Sequence, residues 1–536
     1  MKLRLTPLAL CLCLLGWVAT PAFADDSQSD DSNQSMESIS SRTQDLEKHL
    51  AEMEKEMRSL KAQLRKSQHA GASANQPTLR NTKKASSEQS ARLTSDANNY
   101  VPEAQTVLGI GAQSLPLDID VPGQSFVSTG PYIGVPLSYS GGNLIINSPN
   151  INEDVTLLNI RKSVRERLKA LGRPIEEDHA HLLLSGIVEG QVLYKAPGGG
   201  PDSSDIDVTA AEIDGYILGA GAWTSGLIAL AYDNNQGSNT GSLNNNSRSQ
   251  SSRVFLNKAF IVIGNFNRSP LYGTIGQMYV PFGTYSTNMV SSPLTKILGR
   301  TKERALLVGI QQPGKKAGYA AAYVFKGDTF VGSTSRISNG GINLGYRYAY
   351  GPVSGDFGGG VLANIADSGG MQNTGNAPAF GGFGGTNGSG NEQISHRVPA
   401  MNLRGSFDLG DHINLLAEYI GALNSFSKYD LTMNTHGAKP QALDLEAAYT
   451  FNVFEKPSSV AVGYGRSKDS LAIGLPLRRY SLVFNTSLWK DTLQSLEFRH
   501  DTEYAASDVA TGSGVIALAE TGRSDNMVTA QFDLYF

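Results

Sequence analysis

Seven ionisable residues sit in runs where apolar and polar side chains alternate: Arg347, Glu418, Asp444, Glu446, Glu497, Arg499 and Asp501. Alternation with period two sends them to one side of an extended chain and their Leu, Tyr and Phe neighbours to the other. The chemistry open to such a set is lining an aqueous passage, where charges admit, hold or repel a solute. The plainer alternative is that they only solvate the passage or pair with one another.

Catalysis has little to build on. His396, His412, His436 and His500 stand in no nucleophile motif, so a Ser/His or Asp/His arrangement is not indicated. His179 and His181 have Glu177 and Asp178 beside them but read as solvated linker rather than a metal set. The Gly-rich GGGVLANIADSGG stretch lacks the strand-to-helix setting of a phosphate cradle. No catalytic residue, metal site or cofactor is expected.

The elements that position the seven residues read as β-strands. Ile342, Leu344, Tyr346, Tyr348 and Tyr350 oppose Asn343 and Arg347; Ile413, Leu415, Ala417 and Tyr419 oppose His412, Asn414 and Glu418. Residues 443–451 and 495–501 repeat the pattern. From residue 181 onward, sixteen such runs are expected, at 182–195, 207–219, 222–233, 253–264, 270–280, 304–312, 316–326, 340–350, 352–366, 397–408, 411–423, 439–451, 456–467, 478–489, 491–504 and 526–536. Tight turns follow every even run and long polar segments every odd one. One edge of short turns and one of long loops is the pattern of a transmembrane barrel, apolar towards lipid and polar towards the lumen. The fold expected for 181–536 is thus an all-β outer-membrane barrel of about 16 antiparallel strands, too wide for its own side chains to fill, so passage of a solute is the default role. The stripe ending in Phe532, Leu534 and Phe536 resembles the signal read by the barrel-assembly machinery.

The segments before the barrel agree with export. Lys2 and Arg4, an apolar stretch from Leu8 to Val18 and Ala22-Phe23-Ala24 predict a signal peptide over 1–24, cleaved between Ala24 and Asp25. Cys11 and Cys13, the only two cysteines, leave with it, which removes disulfide and thiolate chemistry. A polar leader covers 25–38. Over 39–66, Ile39, Leu46, Leu50, Met53, Met57, Leu60 and Leu64 fall three to seven apart, a coiled-coil-type helix suited to self-association or a periplasmic partner. Residues 67–99 read as a flexible linker, and 100–180 as a small periplasmic or plug region with a helix beginning near Asn152. Long loops would be extracellular and the N-terminal region periplasmic.

The whole chain of 536 residues has a net charge of −4, which argues against a nucleic-acid partner. From residue 182 onward, 26 Lys and Arg against 28 Asp and Glu leave −2, so no single-sign field follows from composition. One long connection differs from the rest. Pro281 to Arg300 carries Phe282, Tyr285, Met289, Val290, Leu294, Ile297 and Leu298, and apolar groups on an external loop need cover. It is expected to fold into the mouth or lumen and narrow it, with Tyr285, Thr287 and Asn288 as candidate contacts.

The heptad segment, TGPYIG (Thr129–Gly134), NLIINSPNINEDVTLL (Asn143–Leu158), LSGIVEGQ (Leu184–Gln191) and GQMYVPFGTYSTNMVSSPLT from Gly276 resemble the legiobactin-receptor type of siderophore porin. The resemblance spans the chain beyond the signal. It implies a barrel with a periplasmic coiled coil, engaged in uptake of a ferric siderophore or related iron source without an energy-coupling box. The inward carboxylates would disfavour an anionic chelate unless basic partners offset them. A general or otherwise selective porin, and a structural or adhesive envelope protein, are the alternatives.

Overall fold

The computed structural model describes residues 119–121, 125–131, 154–159, 161–162, 180–219, 221–233, 253–332, 336–372, 383, 392–410, 412–489, 492–512 and 522–536. The expected signal peptide, leader, coiled coil and linker (1–99) lie outside them.

Sixteen strands build the barrel: β1 (His181–Pro197), β2 (Ser203–Leu218), β3 (Thr224–Asp233), β4 (Arg253–Gly264), β5 (Leu271–Tyr279), β6 (Lys302–Gln311), β7 (Ala317–Phe325), β8 (Asn339–Tyr350), β9 (Val353–Leu362), β10 (Ala400–Leu409), β11 (Ile413–Ala422), β12 (Gln441–Val453), β13 (Lys456–Lys468), β14 (Arg478–Thr486), β15 (Thr492–Thr502) and β16 (Ser524–Tyr535). Each pairs antiparallel with the next. β16 closes on β1 in continuous register from Asp525↔Pro197 to Tyr535↔Ile187, which leaves no barrel strand with an open edge. Every expected run is a strand. Ends shift where local chemistry intervenes: β9 stops at Leu362, because the Asn364 side chain accepts from Ala366 N and turns 365–367 into a short 3₁₀ helix.

The outer face carries the apolar half of each alternation. Ile261 (54 %), Ile275 (56 %), Val308 (58 %), Leu344 (55 %) and Leu496 (54 %) are all exposed there, which in water would be costly and in lipid is favourable. Trp223, Tyr350, Phe454 and Trp489 ring the short-turn end, the place of an interfacial aromatic girdle. Trp489 packs 6.1 Å from Phe532 of the C-terminal stripe.

Short turns follow the even strands as expected. The odd connections correct one expectation: the first is not long, spanning only residues 198–202. Inside–outside alternation continues past the expected ends of β1 and β2, so their pairing runs up to Lys195↔Ser203 and uses residues assigned to a loop. The longer loops fold on one another. Leu431–Met433, His436–Gly437 and Ala510–Gly512 form a three-stranded sheet, and Phe383 stacks on Phe426 at 5.5 Å.

Two short strands precede the barrel, Ile119–Val121 and Ser125–Pro131, paired antiparallel. The second runs parallel to the lower end of β1, Val127↔Leu182 to Pro131↔Gly186, just where β16 stops. Gly186 suits this junction: a Cβ there would meet the Phe536 ring and lie 2.7 Å from the backbone oxygen of Glu212.

Candidate constriction site

The connection from β5 to β6 runs into the barrel. Its first turn, Pro281-Phe282-Gly283-Thr284-Tyr285, needs the left-handed region twice, at Gly283 (φ 99°) and Tyr285 (φ 54°). A Cβ on Gly283 would meet the Tyr285 ring and, at 2.8 Å, Glu418 Oε1. This bend turns two successive N–H groups onto one carboxylate: Thr284 N donates to Glu418 Oε1 (2.9 Å) and Tyr285 N to Glu418 Oε2 (2.7 Å). Such a pair of adjacent amides is an anion-holding nest, here filled by the barrel wall.

Three more wall carboxylates repeat the arrangement. Glu446 accepts from Thr287 Oγ1, from Asn288 N at 2.7 Å and from Asn288 Nδ2 at 3.2 Å. Glu497 accepts from Ser291 N at 3.0 Å. Asp444 accepts from Leu294 N (3.2 Å) and Thr295 N (2.8 Å), the first residues of helix α1 (Leu294–Gly299), where carboxylates suit unpaired helix amides. From β14, Arg479 Nη1 donates to Ser292 O (3.0 Å) and Asn485 Nδ2 to Asn288 O (3.1 Å). The loop therefore lies along β11, β12, β14 and β15 and occupies that side of the lumen.

Arg479 also grips Asp501 with two bonds, Nε–Oδ1 at 2.8 Å and Nη2–Oδ2 at 3.0 Å, while Arg499 Nε lies 3.1 Å from Asp501 Oδ2. Further round the wall, Arg404 donates to Asn402 Oδ1 and to Tyr319 OH; Tyr319 in turn donates to Asp356, and Asn402 Nδ2 to Glu418. This chain links the loop's first anchor to β7 and β9.

Six of the seven residues expected to line the lumen are thus brought together around the loop, while Arg347 stands apart on β8 opposite Asp356 in register. Their use differs from the expectation of solute contact. The carboxylates of Glu418, Asp444, Glu446 and Glu497 are covered by loop donors. Tyr285, Thr287 and Asn288 are fully buried and turned to the wall, Tyr285 on Glu418 and Thr287 and Asn288 on Glu446. Tyr285 OH donates to Phe282 O, which makes it an internal post of the loop rather than a contact for cargo. Burial, with Glu418 nearby, holds its phenol well above the ordinary range. The sequence reading missed Arg479, whose phase was hidden by the adjacent Arg478, and Lys296. Lys296 is half-buried, and burial, with Arg300 beside it, pulls its ammonium down to about 7.

At the short-turn end, the helical residues 154–159 and 161–162 lie against the inner wall. Arg161 Nη1 donates to Thr224 O (2.7 Å) and Ser225 Oγ (3.1 Å), and Nη2 to Gly221 O. Tyr216 OH donates to Leu157 O (2.8 Å), and Thr274 Oγ1 to Asp154 Oδ2 (2.9 Å). Burial raises the Asp154 carboxyl above its usual range.

A closed sixteen-stranded barrel, apolar outside, with the connection from β5 to β6 folded into its interior, has the architecture of the outer-membrane porins. No family model matches the chain, but curated relatives do, and it belongs to the UPF0422 family. It is 41 % identical over 417 residues to a UPF0422 protein of Coxiella burnetii, covering 77 % of this chain and 84 % of that relative. A UPF0422 protein of Legionella pneumophila (strain Lens) is 38 % identical over 419 residues, 76 % of each chain. Among solved structures, the outer membrane channel DcaP of Acinetobacter baumannii superposes with a TM-score of 0.42 at 14 % identity, over 67 % of this chain and 98 % of that one. An anion-selective porin from Comamonas acidovorans gives 0.42 at 13 %, over 67 % and 100 %.

Proposed function

We propose that the protein is an outer-membrane diffusion channel, without enzymatic activity, whose lumen is narrowed by residues 280–301 and whose cargo is a ferric siderophore or related iron source. The observation that carries the channel reading is the loop itself, bound to the inner wall through four carboxylates. Support for the siderophore is the resemblance of Asn143–Leu158, Leu184–Gln191 and the stretch from Gly276 to that porin type. The objection from inward acidic residues weakens, since four of those carboxylates are occupied by the loop. The barrel would be inserted by the assembly machinery through the Phe532, Leu534, Phe536 stripe, with the 39–66 coiled coil self-associating or meeting a periplasmic partner.

Uptake of ferric siderophore by a deletion strain, with and without the gene restored, tests the cargo. Equal uptake in both strains, with sugar-driven swelling of liposomes holding the pure protein, would favour a general porin instead. Unchanged single-channel conductance after deletion of 281–300 would remove the constriction. A second reading, that residues 100–180 plug the lumen, is favoured by the buried Arg161 contacts on the inner wall. Removing residues 100–180 should then raise conductance, and no rise would refute it.

A further inference from the structure

Residues 281–300 contain no Asp or Glu and two cations, Lys296 and Arg300. In α1, Leu294, Thr295, Leu298 and Gly299 are buried, with Gly299 against Ile420 of β11, while Lys296, Ile297 and Arg300 are only partly covered. The wall side of the loop thus takes up the acidic groups and the other side keeps the positive charge. Lys302, at the start of β6, lies close by but shares the outward phase of Leu306 and Val308. Arg300 lies 4.8 Å over the Tyr279 ring, and Lys302 lies 5.8 Å from that ring and 5.2 Å from Phe255, with Nζ donating to Asn257 Oδ1 at 3.1 Å.

None of these three cations has a carboxylate within ion-pair distance among the described residues. By contrast, Lys258 nearby is bridged to Glu212 at 2.8 Å, and Arg479 to Asp501. The acid that Lys296 does feel is Glu189 on β1, which is itself engaged by Thr209 and Gln191 side chains. Arg300 rests on an aromatic face and Lys296 is in no ion pair among the described residues, which leaves positive charge on this side of the loop for a solute that carries carboxylates.

Resting on the channel reading, we propose that Lys296 and Arg300 form an anion-selecting pair at the constriction, and that the preferred solute class is a polyanion of the carboxylate type. A unit charge facing an ion across about 4 Å of water alters its partition on the order of fivefold. In planar bilayers under a KCl gradient, the full-length protein should prefer chloride. At pH 6, K296Q/R300Q should lower the chloride-to-potassium permeability ratio by at least about fivefold, whereas K296R should leave it near the parent value. Citrate, as a trivalent probe, should block the KCl current at lower concentration in the parent than in the double variant. A parent that prefers potassium, an unchanged ratio in K296Q/R300Q, or equal citrate block in both would overturn the proposal. Absence of any conductance from the parent would instead refute the channel reading, and this inference with it. Folded-barrel mobility on unboiled gels checks the double variant; if it fails to fold, K296Q alone is read the same way.

Discussion

Replacing Glu418 and Glu446 together by Gln should loosen the first half of the internal loop while leaving the barrel closed. Five hydrogen bonds from the loop end on these two carboxylates: from Thr284 N, Tyr285 N, Thr287 Oγ1, Asn288 N and Asn288 Nδ2. A hydrogen bond to a charged group contributes about 1.5–3 kcal/mol net. Each amide keeps one acceptor oxygen but turns its NH₂ towards a former donor, so about one bond and the charge assistance of the rest are lost at each site. Lumen water recovers part of that, and about 4 kcal/mol remains for the pair, a shift on the order of a thousandfold in local opening. Asp444, Glu497, Arg479 and Asn485 still hold the remainder, so residues 284–290 should fray rather than the whole loop depart. Hydrogen exchange of the protein in nanodiscs reads this directly: the Tyr285 and Asn288 amides should lose protection steeply while β11 and β12 keep theirs. Less than a tenfold acceleration at those two amides would refute the assignment of these carboxylates as anchors.

Leu445 points outward near the middle of the β11–β12 pairing and is 43 % exposed, so Leu445→Arg should cost about 2–4 kcal/mol in urea unfolding from liposomes, whereas Arg347→Gln on the inner face of β8 should change selectivity with much less loss of stability. Equal losses would contradict the assigned faces. Because the Lys296 ammonium titrates at about 7, chloride preference should be greatest near pH 6 and fall towards pH 8 as that positive charge is lost. Glu189 on β1 is the acid that acts on Lys296; K296R should abolish the step, and its persistence there would assign it to another group. Arg161→Ala removes three contacts of a buried guanidinium and should cost the docked 154–162 segment about 2–3 kcal/mol, seen as faster proteolysis within it. Unaltered cleavage would show that this segment is held by other means.

Strand number, order and facing were legible because period-two alternation is enforced by two immiscible surroundings, lipid outside and water inside; Leu344, Leu496 and Arg347 could each point only one way. The inward loop was legible from its apolar residues, which no external loop can leave uncovered. What those residues would do there was not. Glu418 and Glu446 read as free lumen charges, since nothing local reveals that residues more than a hundred positions earlier supply their donors. Arg479 escaped notice for a similar reason: its side-chain partners, Asp501 and the loop carbonyl of Ser292, come from other parts of the chain. The length of the first external turn was misjudged because pairing between β1 and β2 outlasts the obvious apolar run.

The strand Ser125–Pro131 sits beside the lowest five residues of β1, and the β16 pairing ends against it, with Gly186 and Phe536 exchanging backbone hydrogen bonds. It acts as a doorstop for the seam. Were β16 to slip by a single position along β1, Phe532, Leu534 and Phe536 would swing into the wet interior and Gln531 and Asp533 into hydrocarbon. A short strand ahead of the barrel thus sets the gauge for the closing joint, and a chain lacking it should insert with mixed seams even though all sixteen staves are present.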